Sequence, residues 1–310
     1  MKKPPPRSHE TTKQLHDAVE AGESERVREL LDSGVSVNAL TIHHVTPLMT
    51  AARRRNEPIA KLLIERGADV NAKDKRSAIW EGRQTPLHYA VRAGSLEIVR
   101  LLIESGADVD CINQSWRTPL QEAVTGGRRS IVRFLLESGA NPNGPEKCDD
   151  PPIVSAARNH CDLVAEFLKR GADPNRFGGS GRTAIGCTLS LECLRQLIEA
   201  GADVNRPDGH GETPLQQHLA FDLILIQTLI EAGADVNAQT FGYTPLMIVM
   251  QNCPRYDVAR ILLEAGADPN IVGEHGTVLD IYEHLKTYND AALRARIASL
   301  IERNGGTRAA

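Results

Sequence analysis

Aromatic side chains are scarce in this chain: Phe, Trp and Tyr together make up 4% of its 310 residues. A core built from large rings is therefore not available, and whatever core exists must come from Leu, Ile, Val and Ala. Long apolar runs are missing too, with none approaching the ~18 residues that would span a bilayer. The first ten residues are basic and proline-rich but precede no apolar stretch, so they do not read as a secretory signal. Cysteine is sparse and unpaired in spacing. Cys111, Cys148, Cys161, Cys187, Cys193 and Cys253 lie scattered, a usage that fits reduced thiols and a cytoplasmic or nuclear setting. Nor does one sign of charge dominate: the net charge of −4 argues against nucleic acid as a partner.

Catalytic signatures are likewise missing. The sequence holds no Gly-rich phosphate loop ending in Lys-Ser/Thr, no His-Glu-x-x-His and no Cys-x-x-Cys. The glycines at 178, 179 and 181 lack the strand-turn-helix context of a phosphate cradle. No catalytic residue, metal ligand or cofactor site is expected.

What the chain does have is a period. Gly-Ala-Asp-Val-Asn or a close variant returns about every thirty-three residues, beginning at Gly67, Gly106, Gly139, Gly171, Gly201, Gly233 and Gly266, with a worn copy at Gly34. Thr-Pro-Leu recurs in step with it at Thr46, Thr85, Thr118, Thr213 and Thr244, with worn versions at Pro151, Thr183 and Thr277. Two phrases locked in phase mark a repeat solenoid. Residues 85–117 show the unit. Thr85 is a natural N-cap and Pro86 fits the first helical position, where a missing N–H costs nothing. Leu87, Ala90 and Val91 give the apolar side of a short first helix. A second follows from Leu96, with Ile98, Val99, Leu102 and Ile103 at helical spacing. Gly106 suits a left-handed C-cap. The polar remainder is long enough for a projecting hairpin finger. Such a pair of helices cannot bury its own apolar faces, so neighbouring units must stack.

These units resemble ankyrin repeats; Thr-Pro-Leu-His-Tyr-Ala at residues 85–90 is close to the family signature, and the likeness runs from about Lys13 to Arg303. The resemblance implies an all-α ankyrin-repeat solenoid, a right-handed curl of about nine units starting near 13, 46, 85, 118, 151, 183, 213, 244 and 277. Residues 1–12 and 304–310 are expected as flexible tails. The last segment, 291–303, reads as a closing helix with Leu293, Ile297, Leu300 and Ile301 inward and Arg294, Arg296 and Arg303 on the surface. The resemblance also implies an interaction scaffold rather than an enzyme, gripping a partner with finger tips and first helices. It further implies that finger asparagines such as Asn71 can be hydroxylated. A His at position 88 would bond the next finger; Met49, Gln121, Val154, Gly186, Gln216 and Met247 at that place imply a broken network.

Departures from the period locate candidate contacts. The interval from the unit's Gly to the next Thr is eleven or twelve residues, but eighteen from Gly67 to Thr85. The inserted loop carries Trp80 among basic residues, where either partner binding or a local minicore would account for it. Aromatics recur in the fingers at Trp116, Phe177, Phe241 and Tyr243, sharing them with Arg117, Arg176, Arg182 and Arg206. Trp, Tyr and Arg are the side chains that most often anchor interfaces. Aligning first helices places Arg53, Arg92 and Arg158 in one column, suited to an acidic segment, with Tyr89 beside it. Unit six is short, eighteen residues from Thr183 to Gly201 against twenty-one in the best unit. Its glycine-rich finger suggests a hinge. The expected partner-binding set is Trp80, Trp116, Arg117, Tyr89, Arg92, Arg53 and Arg158, on a monomeric adaptor for another protein. The same surfaces would serve a microbial or viral protein acting on a host. An enzyme with a site in the concave groove would need convergent His, Asp or Cys groups.

Overall fold

The first-helix signature Thr-Pro-Leu folds as its residue types dictate. In the computed structural model, which describes residues 8–75, 82–252, 254–285 and 291–308, the hydroxyls of Thr46, Thr85, Thr118, Thr213 and Thr244 accept from the amide three residues on, and proline fills the first turn. Two compact units divide the chain, Met1–Ser155 and Ala156–Ala310. The first holds α1 (Ser8–Ala21), α2 (Ser24–Asp32), α3 (Pro47–Arg54), α4 (Glu57–Glu65), α5 (Pro86–Ala93), α6 (Leu96–Glu104), α7 (Pro119–Thr125) and α8 (Arg129–Glu137). The division falls within α9 (Pro152–Asn159). The second unit holds α10 (Val164–Lys169), entered through a 3-10 turn at Cys161–Leu163, then α11 (Ala184–Cys187), α12 (Leu191–Glu199), α13 (Pro214–His218) and α14 (Leu223–Glu231). It continues through α15 (Pro245–Gln251), α16 (Tyr256–Glu264), α17 (Val278–Leu285) and α18 (Ala291–Arg303).

Within each unit the first helices of successive repeats pack on one another, α1 to α3 to α5 to α7 and α11 to α13 to α15 to α17. Second helices form a parallel row, α2 to α8 and α10 to α18. The faces that meet are the aliphatic ones: Leu48, Leu63, Leu87, Ile98, Leu102 and Leu120 are fully buried. No helix of the described residues is long and apolar enough to cross a membrane.

Each second helix ends on a glycine in the left-handed region, from Gly34 to Gly305, with φ between +83° and +93°. A Cβ at Gly106 would meet nothing within 4 Å, so the requirement there is conformational, not steric. The finger asparagines do more than close this turn. Asn71 Nδ2 donates to Gly106 O at 3.1 Å and its Oδ1 accepts from Asp108 N at 2.8 Å, both in the following repeat. Asn175, Asn205 and Asn237 bridge to Gly201, Gly233 and Gly266 in the same two-bond manner.

This bridge corrects the expected C-terminal tail. Asn270 reaches Gly305 O at 3.0 Å and accepts from Thr307 N at 2.7 Å, while Thr277 Oγ1 donates to Thr307 O at 2.8 Å. Residues 304–307 are thus the opening of one more finger, tied down like the others. At the other end α1 starts at Ser8, inside the segment expected as tail.

The inter-repeat polar network survives at two of the six positions where a break was expected, Gln121 and Gln216. His88 Nδ1 accepts from Thr85 N at 3.3 Å and Nε2 donates to Arg117 O at 3.1 Å. A carbonyl can only accept, so the ring is neutral with its proton on Nε2. Gln121 and Gln216 copy both bonds: their Oε1 atoms accept from Thr118 N and Thr213 N, and their Nε2 atoms donate to Asp150 O and Ala238 O at 3.1 Å. A primary amide places a donor and an acceptor about where imidazole does. At Gly186 the empty space is filled by Gln217, whose Oε1 would lie 1.8 Å from an added Cβ.

Arginines supply a second tie that the sequence pattern hid. Arg294 is buried, not on the surface: Nε donates to Met250 O at 3.2 Å and Nη2 to Gln251 O at 3.3 Å, capping α15 from α18. Arg128 reaches Arg92 O at the end of α5, and Arg255 reaches Leu219 O and Phe221 O beyond α13. In each case a cation meets the carbonyl end of the preceding repeat's first helix, where the helix dipole is negative.

The glycine-rich finger before α11 makes a close contact with the finger that follows it. Gly181 (φ +69°) accepts from Gly209 N at 2.9 Å through its carbonyl, and an added Cβ would sit 2.3 Å from Gly209 Cα.

Two tests follow from these ties. Arg294→Ala strands the Met250 and Gln251 carbonyls, so it is expected to cost about 2 kcal/mol in urea unfolding followed by circular dichroism; an unchanged midpoint would make the burial incidental. Burial is the main force on His88, pushing its pKa from 6.5 down to about 4. The folded state therefore holds a neutral ring that the unfolded chain protonates more readily. Its contribution is full above pH 6.5 and is lost as pH falls toward 4, by about 3 kcal/mol in total. His88→Gln should keep the neutral-pH stability and flatten that acid limb in thermal melts at several pH values, leaving the smaller slope from His16, whose pKa burial also lowers.

Candidate functional site

Fingers turn back toward their next helix two residues before the N-cap Thr, and the backbone there is left-handed in six of them. Gly181, Gly211 and Gly242 fill this place in the second unit at φ +69°, +82° and +74°. In the first unit the same place holds His44, Arg83 and Trp116 at +54°, +63° and +58°. A side chain there meets the Cβ clash that glycine avoids, at a cost of roughly 1–2 kcal/mol. Phe241 adds a further bulky residue at +49°, in the tight turn closed by Thr240 and Tyr243.

These same tips expose apolar area. Ile42 is 86% exposed, Phe241 74%, Val272 62%, Phe177 48% and Trp116 44%. Cations sit over two of the rings: Lys147 Nζ lies 5.3 Å from the Trp116 centroid and the Arg206 guanidinium 4.5 Å from that of Phe177. Neighbouring fingers are joined by backbone bonds, Lys75 N to His43 O at 3.0 Å and Gln114 N to Gly82 O at 2.8 Å in the first unit. Thr240 Oγ1 to Gly211 O at 2.6 Å does the same in the second. The tips are therefore held as a row within each unit. Ile42 escaped the sequence reading because the first repeat was read as a plain cap. The left-handed place was legible, since three copies put glycine there.

The seven expected contact residues fare unequally. Trp80 lies outside the described residues. The neck of its loop is closed by Asp74 and Gln84, whose backbones bond at 3.1 Å and whose link is reinforced by Asp74 Oδ1 accepting from Gln84 N at 2.8 Å. Tyr89 is a correction: it is buried, and its hydroxyl donates to Asp74 Oδ2 at 2.6 Å, so it anchors that neck and presents nothing to a partner. Trp116 is exposed and Arg117 half-buried, its carbonyl taken by His88. Arg53 is exposed but paired with Glu20 at 2.8 Å, which also meets Arg54. Arg92 is exposed in the first unit. Arg158, in the second, is exposed and donates to Cys187 Sγ at 3.8 Å.

Clefts open where fingers meet first helices. One of about 220 Å³ in the first unit is lined by Asp17, Glu20, Thr41, His43 and Arg53. Two more in the second unit, about 250 and 290 Å³, are lined by Phe241, Tyr243 and Ile248, and by His275, Ile281 and His284. His16, beside the first cleft, spends Nε2 on Ala39 O at 2.9 Å. The His88–Cys111 pair, 3.7 Å apart, is sealed: burial pushes the Cys111 thiol up to about 11 and the imidazole down to about 4, the reverse of an activated thiolate–imidazolium pair. Among the described residues no three His, Cys, Asp or Glu side chains gather as a metal site.

Comparison with known proteins agrees with this architecture. A family model described as ankyrin repeats (3 copies) matches residues 5–74, 75–146, 153–239 and 183–272. The human ankyrin repeat, SAM and basic leucine zipper domain-containing protein 1 is 38% identical over 71 residues, 23% of this chain and 15% of that protein. The E3 ubiquitin-protein ligase KEG of Arabidopsis thaliana is 40% identical over 60 residues, 19% of this chain and 4% of that one. This chain thus spans a small part of the curated relatives it matches. The crystal structure of the human ASB11 ankyrin repeat domain superposes with a TM-score of 0.60 at 27% identity, over 71% of this chain and 98% of that one. With a family model matching well over half its length, the chain belongs to the ankyrin-repeat family, whose repeats are in general protein–protein interaction modules.

Proposed function

We propose that the chain is an adaptor that binds a protein partner through its finger tips and the first-helix surface beside them. One observation carries this reading: bulky side chains stand exposed on left-handed backbone at positions where glycine would be cheaper. Neither exposure nor strain helps folding. Both help a surface that must present anchors without reordering them. Trp116 is the leading anchor, with Ile42 in the first unit and Phe177 and Phe241 in the second. Lys75, Arg83, Arg117 and Lys147 share the first unit's fingers, which favours an acidic stretch on the partner. Arg92 and, once Glu20 is displaced, Arg53 extend that surface onto the first helices. Arg158 plays the same part in the second unit.

The test separates folding from binding. Trp116→Gly relieves the left-handed strain while losing a half-exposed ring, so calorimetry should place its stability within about 1 kcal/mol of the parent. Combined with Ile42→Ser and Phe241→Gly, it should strip the partners that the intact protein captures from cell extract. Identical capture by the folded triple variant would overturn the finger-tip reading.

A further inference from the structure

Cysteines unrelated in sequence spacing meet at the junction of the fifth and sixth repeats. Cys161 opens the second helix of repeat five, and Cys193 lies in α12, the second helix of repeat six. One hydroxyl joins them: Ser190 Oγ lies 3.3 Å from Cys161 Sγ and accepts from Cys193 N at 3.4 Å. Cys161 and Thr188 are the side chains that act on the Cys193 thiol. Both thiols are free. Their exposures differ, Cys161 half-buried and Cys193 fully buried. Around them repeat six has its shortest first helix, the four residues of α11, followed by the extended Thr188–Ser190 connection in which Leu189 is 61% exposed. Thr188 is held from the other side by His218 Nε2 at 2.8 Å.

We propose that Cys161 and Cys193 form a redox site, joined by peroxide into a reversible disulfide that staples the second helices of repeats five and six. Cys161 is the thiol an oxidant can reach. Its sulfur attacks one peroxide oxygen, the O–O bond breaks, and a sulfenic acid and water result. The Cys193 sulfur then attacks the sulfenic sulfur; the S–S bond forms as the S–O bond breaks, and the hydroxide leaves with the Cys193 proton as a second water. Two thiols and one peroxide give one disulfide and two waters. Burial, the main influence, holds the Cys193 thiol protonated, its pKa raised to about 12. Cys193 is therefore spared direct oxidation and reacts only as its proton leaves with the hydroxide that the sulfenic sulfur releases. The resulting bridge crosses the repeat with the least helix.

The full chain, treated with stoichiometric hydrogen peroxide and digested without reductant, should yield a Cys161–Cys193 linked peptide by mass spectrometry. Closing a loop of this length should raise the thermal midpoint of the oxidised protein by roughly 8 °C, reversed by dithiothreitol. Cys187→Ser should behave as the parent, whereas Cys161→Ser, at a half-buried site that tolerates hydroxyl, should show neither link nor shift. A Cys161 that proceeds to sulfinic acid, or a link formed instead to Cys187 or Cys253, would overturn the proposal. An unchanged midpoint in protein shown to carry the link would overturn the staple.

Discussion

Each unit depends on one bridge: Asn38 and Asn71 in the first, and Asn175, Asn205, Asn237 and Asn270 in the second, bond both the carbonyl of the next repeat's left-handed glycine and the amide two residues beyond it. That carbonyl lies just past the helix end, where no intrahelical donor reaches it, and the asparagine satisfies it. Because the bridge joins repeats rather than closing a local turn, it sets where each successive second helix must stop. Variation can then fall only between anchors. The insertion between Asn71 and Gly106 and the shortened helix between Asn175 and Gly201 sit inside intact bridges. Asp110 marks the exception. It accepts from Asn141 N at 3.0 Å but has no hydrogen to give, so half of that tie is absent.

A second constraint acts at the opposite ends of the first helices. Gly94 and Arg55 turn left-handed there and close their helices locally. α13 and α15 end on right-handed residues, and they are the helices whose last carbonyls Arg255 and Arg294 reach. Arg128 makes the same reach toward α5, doubling a cap already present. A helix too short to finish with its own turn borrows its ending from its neighbour, which makes its stability a property of the pair.

Much of this was legible in the residues. Thr, Pro and Gly at fixed offsets are local instructions, and they placed helices and caps correctly because a cap depends on its immediate neighbours. The misreadings share another character. Arg294 looked like surface because charge was taken as a proxy for exposure, yet its partners lie 43 and 44 residues away. Gln121 and Gln216 looked like failures of a histidine position because identity was compared instead of donor and acceptor placement. Tyr89 looked like a contact because its column faces the groove in the average repeat. This repeat alone has an inserted loop whose Asp74 claims the hydroxyl. Each of these three concerns a side chain long enough to leave its own repeat, which a periodic pattern cannot track.

The left-handed places of the molecule therefore fall into two kinds. After every second helix the backbone turns with glycine, although a Cβ at most of these positions would meet only open space. There the chain needs the turn and gains nothing from a side chain. Before the first helices the turn recurs, and the first unit fills it with His, Arg and Trp. A side chain that raises the folded state's energy while standing half exposed or more is not accounted for by packing alone. On the function proposed above, its effect lies in where it points: a residue fixed on a strained turn, on a finger bonded to the next, loses little freedom when a partner covers it. The local cost of the turn is present before binding, and the entropy of fixing the anchor is no longer charged to the complex. Glycine in the second unit shows that the turn forms without such side chains, so in the first unit the side chain, not the turn, is what calls for a functional explanation.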